Sequence, residues 1–350
     1  MARPLRTDFC RSGAEKKIPD SFSFYLGCVV APTFLKMPAF NFSTTGSEVV
    51  AALPDRVTGK TFVITGASHG GLGAQTALCL AAANPAEIIL LGRSEEKVTP
   101  VMKEISKTSP STIVRFIKID LMSCASVRAA AAEINVSVSK IDVLINNAGI
   151  MGVKFSLTAE NVESQLGANH IGHFLLTNLL VPKLEASGGG ARIVNVSSTM
   201  YQLSPVMFDN YNFSNGKTYD AWVAYGQSKT ANILFAVALA GKLEEKKIKS
   251  YSLHPGLVQT AGLSEVDPAA WPIVGSMFES KKLELPKAKD MEQGCATTLA
   301  AALDPALDNE SGSFLSDCNP EKVLNYASDV SNAEKLWTLS EKIVGEKFCY

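Results

Sequence analysis

The chain has 350 residues, a net charge of −1 and 46% apolar residues. The length allows one large domain with a substantial core, and the balanced charge without a basic block argues against a nucleic-acid-binding surface. The seven cysteines form no C-x-x-C pair and the four histidines have no metal-ligand spacing. This usage predicts free thiols in a reducing compartment, the cytoplasm, and no metal site.

Residues 1–54 are predicted to form an N-terminal extension. Residues 1–36 open basic and then turn apolar, but the apolar part, 22–35, is too short to span a membrane and contains Pro32. Two interpretations of 1–36 remain open: a disordered tail, or an over-extended gene model whose natural start is Met37. Neither provides a stable membrane span.

From residue 60, short apolar segments alternate with helix-like segments. The predicted strands are 60–65, 87–91, 113–119, 141–145, 192–196 and 249–253, and the predicted helices are 74–83, 95–107, 127–134, 161–184 and 225–245. Nearly all-apolar strands that alternate with helices indicate a parallel sheet covered on both faces. We therefore predict an α/β fold, a three-layer, doubly wound parallel sheet, as a single domain over 55–345.

A glycine-rich segment, TGASHGGLG at 65–73, joins the first predicted strand to the first predicted helix. Glycines at such a junction let backbone N–H groups approach a pyrophosphate at the helix N-terminus. The strand before and the helix after provide the context that a dinucleotide-binding loop requires. A plain tight turn is the alternative interpretation.

The end of the second strand, Leu91-Gly92-Arg93, carries no carboxylate for a ribose 2′-hydroxyl. Arg93 can instead pair with a 2′-phosphate through its planar fork, and His69 and Lys97 would add positive charge. This favours NADP(H) over NAD(H). The alternative is that Arg93 is a solvated loop residue.

Tyr225 and Lys229 lie four residues apart in a predicted helix, which places them on one face. An ammonium one turn away is expected to lower the pKa of the phenol and make it an acid and base usable near neutral pH. The pair alone is weak evidence, because any helix can carry it by chance.

Together these segments resemble the short-chain dehydrogenase/reductase family, and the likeness extends over nearly all of the chain after residue 58. The motifs that carry it occur in the family's order: the TGASHGGLG loop, Asp120-Leu121, the NNAG segment at 146–149, Asn169, the NVSS segment at 195–198, Tyr225-x-x-x-Lys229, and Pro255-Gly256-x-x-x-Thr260. The segments NHIGHFLLTNLL, RIVNVSS, YGQSKTANILF and AEKLWTLSEKIVGEKF resemble the retinol-dehydrogenase-like branch, which includes fungal NADP-dependent reductases.

The resemblance implies a Rossmann fold and four catalytic residues. Tyr225 would be the acid/base, and Lys229 would hold the nicotinamide ribose and lower the Tyr225 pKa. Ser198, rather than Ser197, would stabilise the substrate oxygen. Asn169 would anchor a water that links Lys229 to solvent; otherwise it is only a polar residue that kinks its helix.

The resemblance also implies the cofactor contacts. Asp120 would contact the adenine, Asn147 the adenosine ribose, and Val258 and Thr260 the nicotinamide carboxamide. The complete set of expected cofactor-binding residues is Gly66, Ser68, Gly71, Leu72, Gly73, Arg93, Lys97, Asp120, Asn147, Tyr225, Lys229, Val258 and Thr260.

Two departures from the family pattern concern the loops. The glycine loop has one extra residue, either His69 or Gly70. An insertion over 199–224 separates Ser198 from Tyr225 and is expected to form a wall of the substrate pocket; a surface excursion is the alternative. A lid is predicted over 261–290, with an apolar face made by Trp271, Ile273, Val274, Met277 and Phe278.

These features predict an oxidoreductase that transfers a hydride between NADP(H) and an apolar carbonyl or alcohol, a chemistry found in secondary metabolism. The resemblance also implies a homodimer formed through the helices that carry Asn169 and Tyr225. Two alternatives remain open: a non-catalytic NADP-binding regulator on the same fold, and a photoreductase like the protochlorophyllide enzymes.

Overall fold

A mixed sheet organises the computed structural model, which describes residues 39–283 and 287–350. Within those residues the sheet has eight strands in the order β10-β9-β6-β5-β4-β1-β2-β3. They are β1 Thr61–Thr65, β2 Glu87–Gly92, β3 Ile113–Lys118, β4 Val143–Asn146, β5 Arg192–Val196, β6 Lys249–His254, β9 Phe314–Ser316 and β10 Asn319–Glu321, and a separate parallel pair is formed by β7 Leu257–Val258 and β8 Ala288–Lys289. Only β10 in the large sheet runs antiparallel to its neighbour.

The strand order places the topological switch point between β1 and β4. Strands β2 and β3 extend the sheet from β1 in one direction, whereas β5 and β6 extend it from β4 in the other. The connections that leave the carboxyl ends of β1 and β4 therefore diverge and open a crevice, which is where ligands bind in folds of this kind.

Helices cover both faces of the sheet and give three layers. The helices are α1 Gly46–Ala52, α2 Leu72–Ala81, α3 Glu95–Thr108, α4 Cys124–Ser137, α5 Ser164–Leu166, α6 Gly172–Glu185, α7 Ala221–Lys242, α8 Trp271–Lys281, α9 Met291–Leu303, α10 Asn325–Ser328 and α11 Val330–Val344. Successive strand residues point to opposite faces, so Phe62 and Ile64 join the core beneath α2, α3 and α9, while Val63 joins the core beneath α4, α6, α7 and α11. Double burial explains the apolar runs within β1, β2 and β4, and the predicted doubly wound fold is confirmed.

The predicted helix over 161–184 differs in detail. It starts as α5, where the Glu163 side chain caps the N-terminus by accepting hydrogen bonds from the backbone of Gln165 and Leu166. A π-helical segment, Gly167–Ile171, then leads into α6. The six predicted strands are all present. The sequence did not predict β9 and β10, because three residues are too few to show a periodic pattern.

Residues 39–54, which the sequence assigned to an extension, contain a helix that packs on the domain. In α1, Val49 and Val50 are buried in the core against α2 and α9, and a capping box formed by Thr45 and Glu48 fixes the helix start. The interpretations of residues 1–36 concern a segment outside the described residues. Among the described helices, none has the length and apolar character needed to cross a membrane.

Candidate active site

A cavity of about 860 Å³ opens at the carboxyl ends of the central strands. Most of the predicted site residues line it, namely Gly66, Ser68, Gly71, Leu72, Arg93, Lys97, Asp120, Asn147, Ser198, Tyr225, Lys229, Val258 and Thr260. Gly73 and Asn169 lie behind the cavity wall. The fold therefore brings together in one space residues that are up to 194 positions apart in the sequence, from Gly66 to Thr260.

Close packing between β1 and β4 shapes the glycine loop. A Cβ atom at Gly73 would lie 2.6 Å from Asn147 Nδ2 and 2.7 Å from the Gly66 carbonyl oxygen, so only glycine fits. Asn147 Nδ2 donates to the Thr65 carbonyl at 2.9 Å and to the Gly66 carbonyl at 3.2 Å. Asn147, for which a ribose contact was expected, thus also braces the loop.

The lengthened loop reaches two neighbouring elements. Gly70 has a φ of +76°, a left-handed conformation that favours glycine, and its carbonyl accepts a hydrogen bond from Ala261 N at 3.1 Å. The backbone N–H of His69 donates to the Lys97 carbonyl on α3 at 2.9 Å. The glycine loop is therefore connected both to α3 and to the first residue of the predicted lid.

Basic side chains gather where β2 ends. His69, Arg93 and Lys97 all line this part of the cavity. The carboxylate of Asp120 lies after β3 instead, where its Oδ1 accepts the backbone N–H of Met122 at 3.0 Å. The end of β2 thus presents positive charge and no acidic side chain, as the sequence indicates.

The two serines after β5 have different surroundings. Ser197 Oγ donates to the Lys229 carbonyl at 2.7 Å, a contact between β5 and α7. The Ser198 side chain lines the cavity beside Tyr225, and its Oγ accepts the backbone N–H of Met200 at 3.2 Å. Ser198 is thus the serine positioned to meet a substrate oxygen beside the phenol.

The pKa of Tyr225 departs from the expectation drawn from the sequence. Burial raises the pKa of Tyr225, and the neighbouring Ser198 hydroxyl offsets part of this shift. Lys229 does not contact the phenol oxygen through a hydrogen bond here: its Nζ donates to the Val196 carbonyl at 2.9 Å and lies 5.5 Å from the ring centre of Tyr225. The predicted lowering of the Tyr225 pKa is therefore wrong for this structure.

Lys229 is itself a buried part of the cavity floor, with 3% of its surface exposed. Burial disfavours the charged ammonium and lowers the pKa of Lys229 to about 8. The side chain therefore titrates close to neutral pH.

Asn169 fixes the loop after β4. Its Oδ1 accepts from Ile150 N at 2.8 Å, and its Nδ2 donates to the Ile150 carbonyl at 2.9 Å and to Ser228 Oγ at 2.9 Å. A Cβ atom on Gly149 would lie 3.2 Å from Asn169 Oδ1 and 3.5 Å from Lys229 Nζ, so both side chains flank this glycine. A water relay through Asn169 stays a prediction.

His173 is a supporting residue that the sequence analysis missed. A carbonyl oxygen can only accept, so His173 Nδ1 carries the proton and donates it to the Asn169 carbonyl at 3.0 Å. In a neutral ring the other nitrogen has no proton, so Nε2 accepts a hydrogen bond from the Thr65 hydroxyl at 2.9 Å. Burial lowers the pKa of His173 to about 4, which keeps the ring neutral. Thr65 Oγ1 in turn accepts the backbone N–H groups of Asn147 and Ala148. The four-residue spacing from Asn169 was the signal available in the sequence.

Part of the predicted lid covers the cavity with one face of α8. Trp271, Val274 and Phe278 line the cavity, a spacing of three and four residues that places them on one face. Ile273 is 47% exposed and does not line it, so its predicted place in the apolar lid is wrong. Met277 packs in the small core with Trp222 and Tyr225 rather than on the cavity wall.

The insertion over 199–224 forms the adjoining wall, as predicted. Met200 and Trp222 line the cavity. Trp222 Nε1 donates to the Ala270 carbonyl at 2.6 Å, and its ring lies 5.7 Å from that of Trp271. The insertion and the lid thus meet beside Tyr225.

A doubly wound sheet whose switch-point crevice holds a glycine loop and a serine–tyrosine–lysine group defines an oxidoreductase of the nicotinamide-dependent class. Comparison with known proteins agrees: the family model described as short chain dehydrogenase matches residues 60–270. The chain belongs to the short-chain dehydrogenase/reductase family, whose members bind nicotinamide cofactors.

Its similarity to individual proteins extends over most of the chain. It is 37% identical to human retinol dehydrogenase 11 over 92% of this chain and 97% of that protein. It is 36% identical to an uncharacterized oxidoreductase of Schizosaccharomyces pombe over 83% of this chain and 86% of that protein. The crystal structure of an uncharacterized protein from Mycobacterium paratuberculosis has a TM-score of 0.66 at 32% identity and covers 86% of this chain and 98% of its own.

The burial of Lys229 predicts the pH at which its ammonium group loses a proton. Because its pKa is lowered, the ammonium should lose its proton as pH rises through about 8, whereas exposed lysines stay charged to about 10. Heteronuclear NMR of protein with isotope-labelled lysines measures this midpoint, and the signal missing from Lys229→Met identifies the residue. A midpoint at the value of an exposed lysine would contradict the prediction.

Proposed function

We propose that this protein is an NADP(H)-dependent reductase or dehydrogenase that interconverts an apolar carbonyl compound and its alcohol. The observation that carries the proposal is that Ser198 and Tyr225 lie in the same cavity as the glycine loop, with apolar side chains of α8 and the insertion around them. The cavity thus unites a dinucleotide-binding edge, a proton donor and an apolar wall.

The chain's residues fit the dinucleotide. The absence of a side chain at Gly73 allows the loop to pack against β4, and Gly66, Ser68 and Gly71 line the cavity at the start of α2, where N–H groups favour phosphate. Val258 and Thr260 line the same cavity. NADP(H), when bound, supplies or accepts the hydride.

Tyr225 and Ser198 act on the carbonyl oxygen of the substrate. In the reductive direction the Tyr225 hydroxyl donates its proton to the carbonyl oxygen, while the Ser198 hydroxyl donates a hydrogen bond that stabilises the negative charge as it develops. Because burial raises the pKa of Tyr225, the phenol is protonated at neutral pH and ready to donate. In the oxidative direction the same residues act in reverse, with Tyr225 as the base.

Lys229 and Asn169 support this step. An ammonium at Lys229 favours the phenolate that Tyr225 becomes after it gives up its proton. Asn169 holds the Gly149–Ile150 segment against α7 through its bonds to Ile150 and Ser228. We assign Asn169 to the positioning of this floor and, as the family resemblance implies, to the water that returns a proton to Tyr225.

Charge at the end of β2 supports NADP(H) over NAD(H). Arg93, Lys97 and His69 line the edge of the cavity beyond Gly92, where a 2′-phosphate would lie, and a guanidinium fork suits that group.

The apolar wall supports the substrate class. Trp222, Trp271 and Phe278 offer aromatic surface, and Met151 and Met200 offer flexible thioethers that adapt to apolar shapes. Human retinol dehydrogenase 11 is named for an apolar alcohol, which is consistent with this class.

The central test of the mechanism is a variant that lacks the hydroxyl group of Tyr225. Tyr225→Phe should lower kcat for reduction of an apolar aldehyde by about 100-fold or more, since it removes the proton donor and leaves the ring. The binding of NADPH, measured by fluorescence titration, should change little. Tyr211→Phe, in the insertion but outside the cavity lining, is the matched control and should keep full turnover. Substantial turnover by Tyr225→Phe would refute the mechanism.

Cofactor preference has its own test. Arg93→Asp should lower kcat/KM for NADPH by about tenfold or more relative to NADH, because a carboxylate repels a 2′-phosphate and accepts a ribose 2′-hydroxyl. Lys103→Asp, an exposed position on α3 that does not line the cavity, controls for the charge change. An unchanged NADPH/NADH ratio in Arg93→Asp would contradict the assignment.

Two substitutions in α8 test whether the lid contacts the substrate. Trp271→Ala should raise KM for an apolar aldehyde by about tenfold through lost apolar contact, with a smaller effect for a short polar aldehyde. Ile273→Ala, on the exposed side of α8, should leave both values unchanged. Equal effects of the two variants would show that α8 does not contact the substrate.

A further inference from the structure

A second cluster of reactive side chains lies outside the cavity, between α2 and α9. Cys79 Sγ lies 3.8 Å from Cys295 Sγ, and 3.5 Å and 3.7 Å from the two carboxylate oxygens of Glu292. Both cysteines are buried and Glu292 is partly buried. None of the three lines the active-site cavity, so the proposed reaction gives them no role.

The distances match those between ligands of one tetrahedral zinc ion. Two thiolates bound at about 2.3 Å with a tetrahedral angle lie about 3.8 Å apart, and a thiolate and a carboxylate oxygen at about 2.0 Å lie about 3.5 Å apart. Both values agree with those observed between Cys79 and its two neighbours. The three ligand atoms all lie within 4.8 Å of one another.

The chemistry of the three groups also suits zinc. Thiolate ligands select zinc over magnesium or calcium, and a carboxylate is an accepted third ligand. A dication would compensate the negative charge of all three groups.

Neighbouring residues hold the carboxylate and leave room for the sulfurs. Ser47 N donates to one oxygen of Glu292 at 3.1 Å, and Gln75 Nε2 donates to the other. Such outer contacts orient metal ligands. A Cβ atom at Gly46 would lie 2.4 Å from Cys295 Sγ and 3.0 Å from Cys79 Sγ, so the glycine leaves space for the sulfur pair.

We propose that Cys79, Glu292 and Cys295 form a zinc-binding site with water as the fourth ligand. A disulfide explains the arrangement less well: its sulfurs would have to approach to about 2.05 Å, and it would give no role to the carboxylate beside them. The site joins α2, which begins at the glycine loop, to α9, whose Gly294 packs closely against Val258 and Leu72. It would therefore stabilise the edge of the domain behind the cofactor loop.

The test is zinc binding by the full-length, reduced protein after removal of metal with a chelator. All measurements use a background with Cys10→Ser, Cys28→Ser, Cys124→Ser and Cys349→Ser, so that only the proposed ligands and the buried control Cys318 keep their thiols. We expect one equivalent of zinc in competition with a chromophoric chelator. Cobalt substitution should give thiolate-to-metal charge-transfer absorption and the visible bands of a tetrahedral site.

Single changes assign the ligands. Cys79→Ser or Cys295→Ser should weaken zinc binding by at least about 100-fold, and Glu292→Gln by about tenfold. Cys318→Ser, a buried cysteine outside the cluster, is the matched control and should bind zinc as the background does. Circular dichroism verifies that each variant is folded.

Three outcomes would overturn the site: no stoichiometric zinc, equal zinc affinity in the Cys79→Ser and control variants, or a Cys79–Cys295 disulfide in a protein that takes up no zinc when reduced. None of these readouts uses NADPH or a substrate. Failure here is therefore distinguishable from failure of the proposed reaction.

Discussion

The burial of polar side chains along α7 is the constraint on which the site depends. A buried ammonium or hydroxyl must find a hydrogen-bonding partner or lose several kcal/mol of solvation. Lys229 therefore bonds to the end of β5, and Ser228 bonds to Asn169. Thr230 and Gln227 bond to backbone groups at 201, 204, 207 and 211. The helix that carries the proposed acid thus fixes β5, the π-helical segment before α6 and the insertion with its own polar residues.

The positions of apolar residues and glycines in the sequence predict the outline of this fold, but they do not predict the hydrogen bonds between its buried polar side chains. Phe62, Val63 and Ile64 in β1 are apolar because both faces of the sheet are covered there. Glycine at 73 is required because Asn147 and the Gly66 carbonyl approach closely, so both features leave a mark on the sequence. His173 and Thr65 bond only because the switch point brings α6 to the end of β1. The sequence predicted the sign of the Tyr225 pKa shift wrongly, because it showed the spacing to Lys229 but not the burial of the phenol. For the same reason the pairing of Cys79 with Cys295 was invisible: the cysteines are distant in sequence and adjacent only after folding.

The parts of the cavity differ in rigidity according to their expected task. The proposed reacting groups lie at the ends of buried elements, where neighbours on every side hold Ser198 and Tyr225 within a narrow range of positions. The proposed substrate wall is made from α8, the insertion and the first turn of α7, which lie outside the sheet. Such segments can change in length and sequence without disturbing the sheet. A chemistry shared across the family can therefore accompany substrate preferences that differ among its members.

The hydrogen bond between the Gly70 carbonyl and Ala261 N has a consequence for the binding of two ligands in this cavity. It joins the glycine loop, which would bind the pyrophosphate, to Ala261, the first residue of the predicted lid. If a dinucleotide ordered the glycine loop and a substrate ordered the lid, this hydrogen bond would be one contact through which each ligand changes the affinity of the other, and linkage would make that coupling free energy the same in both directions. The extra loop residue would thereby connect the dinucleotide part and the substrate part of one cavity.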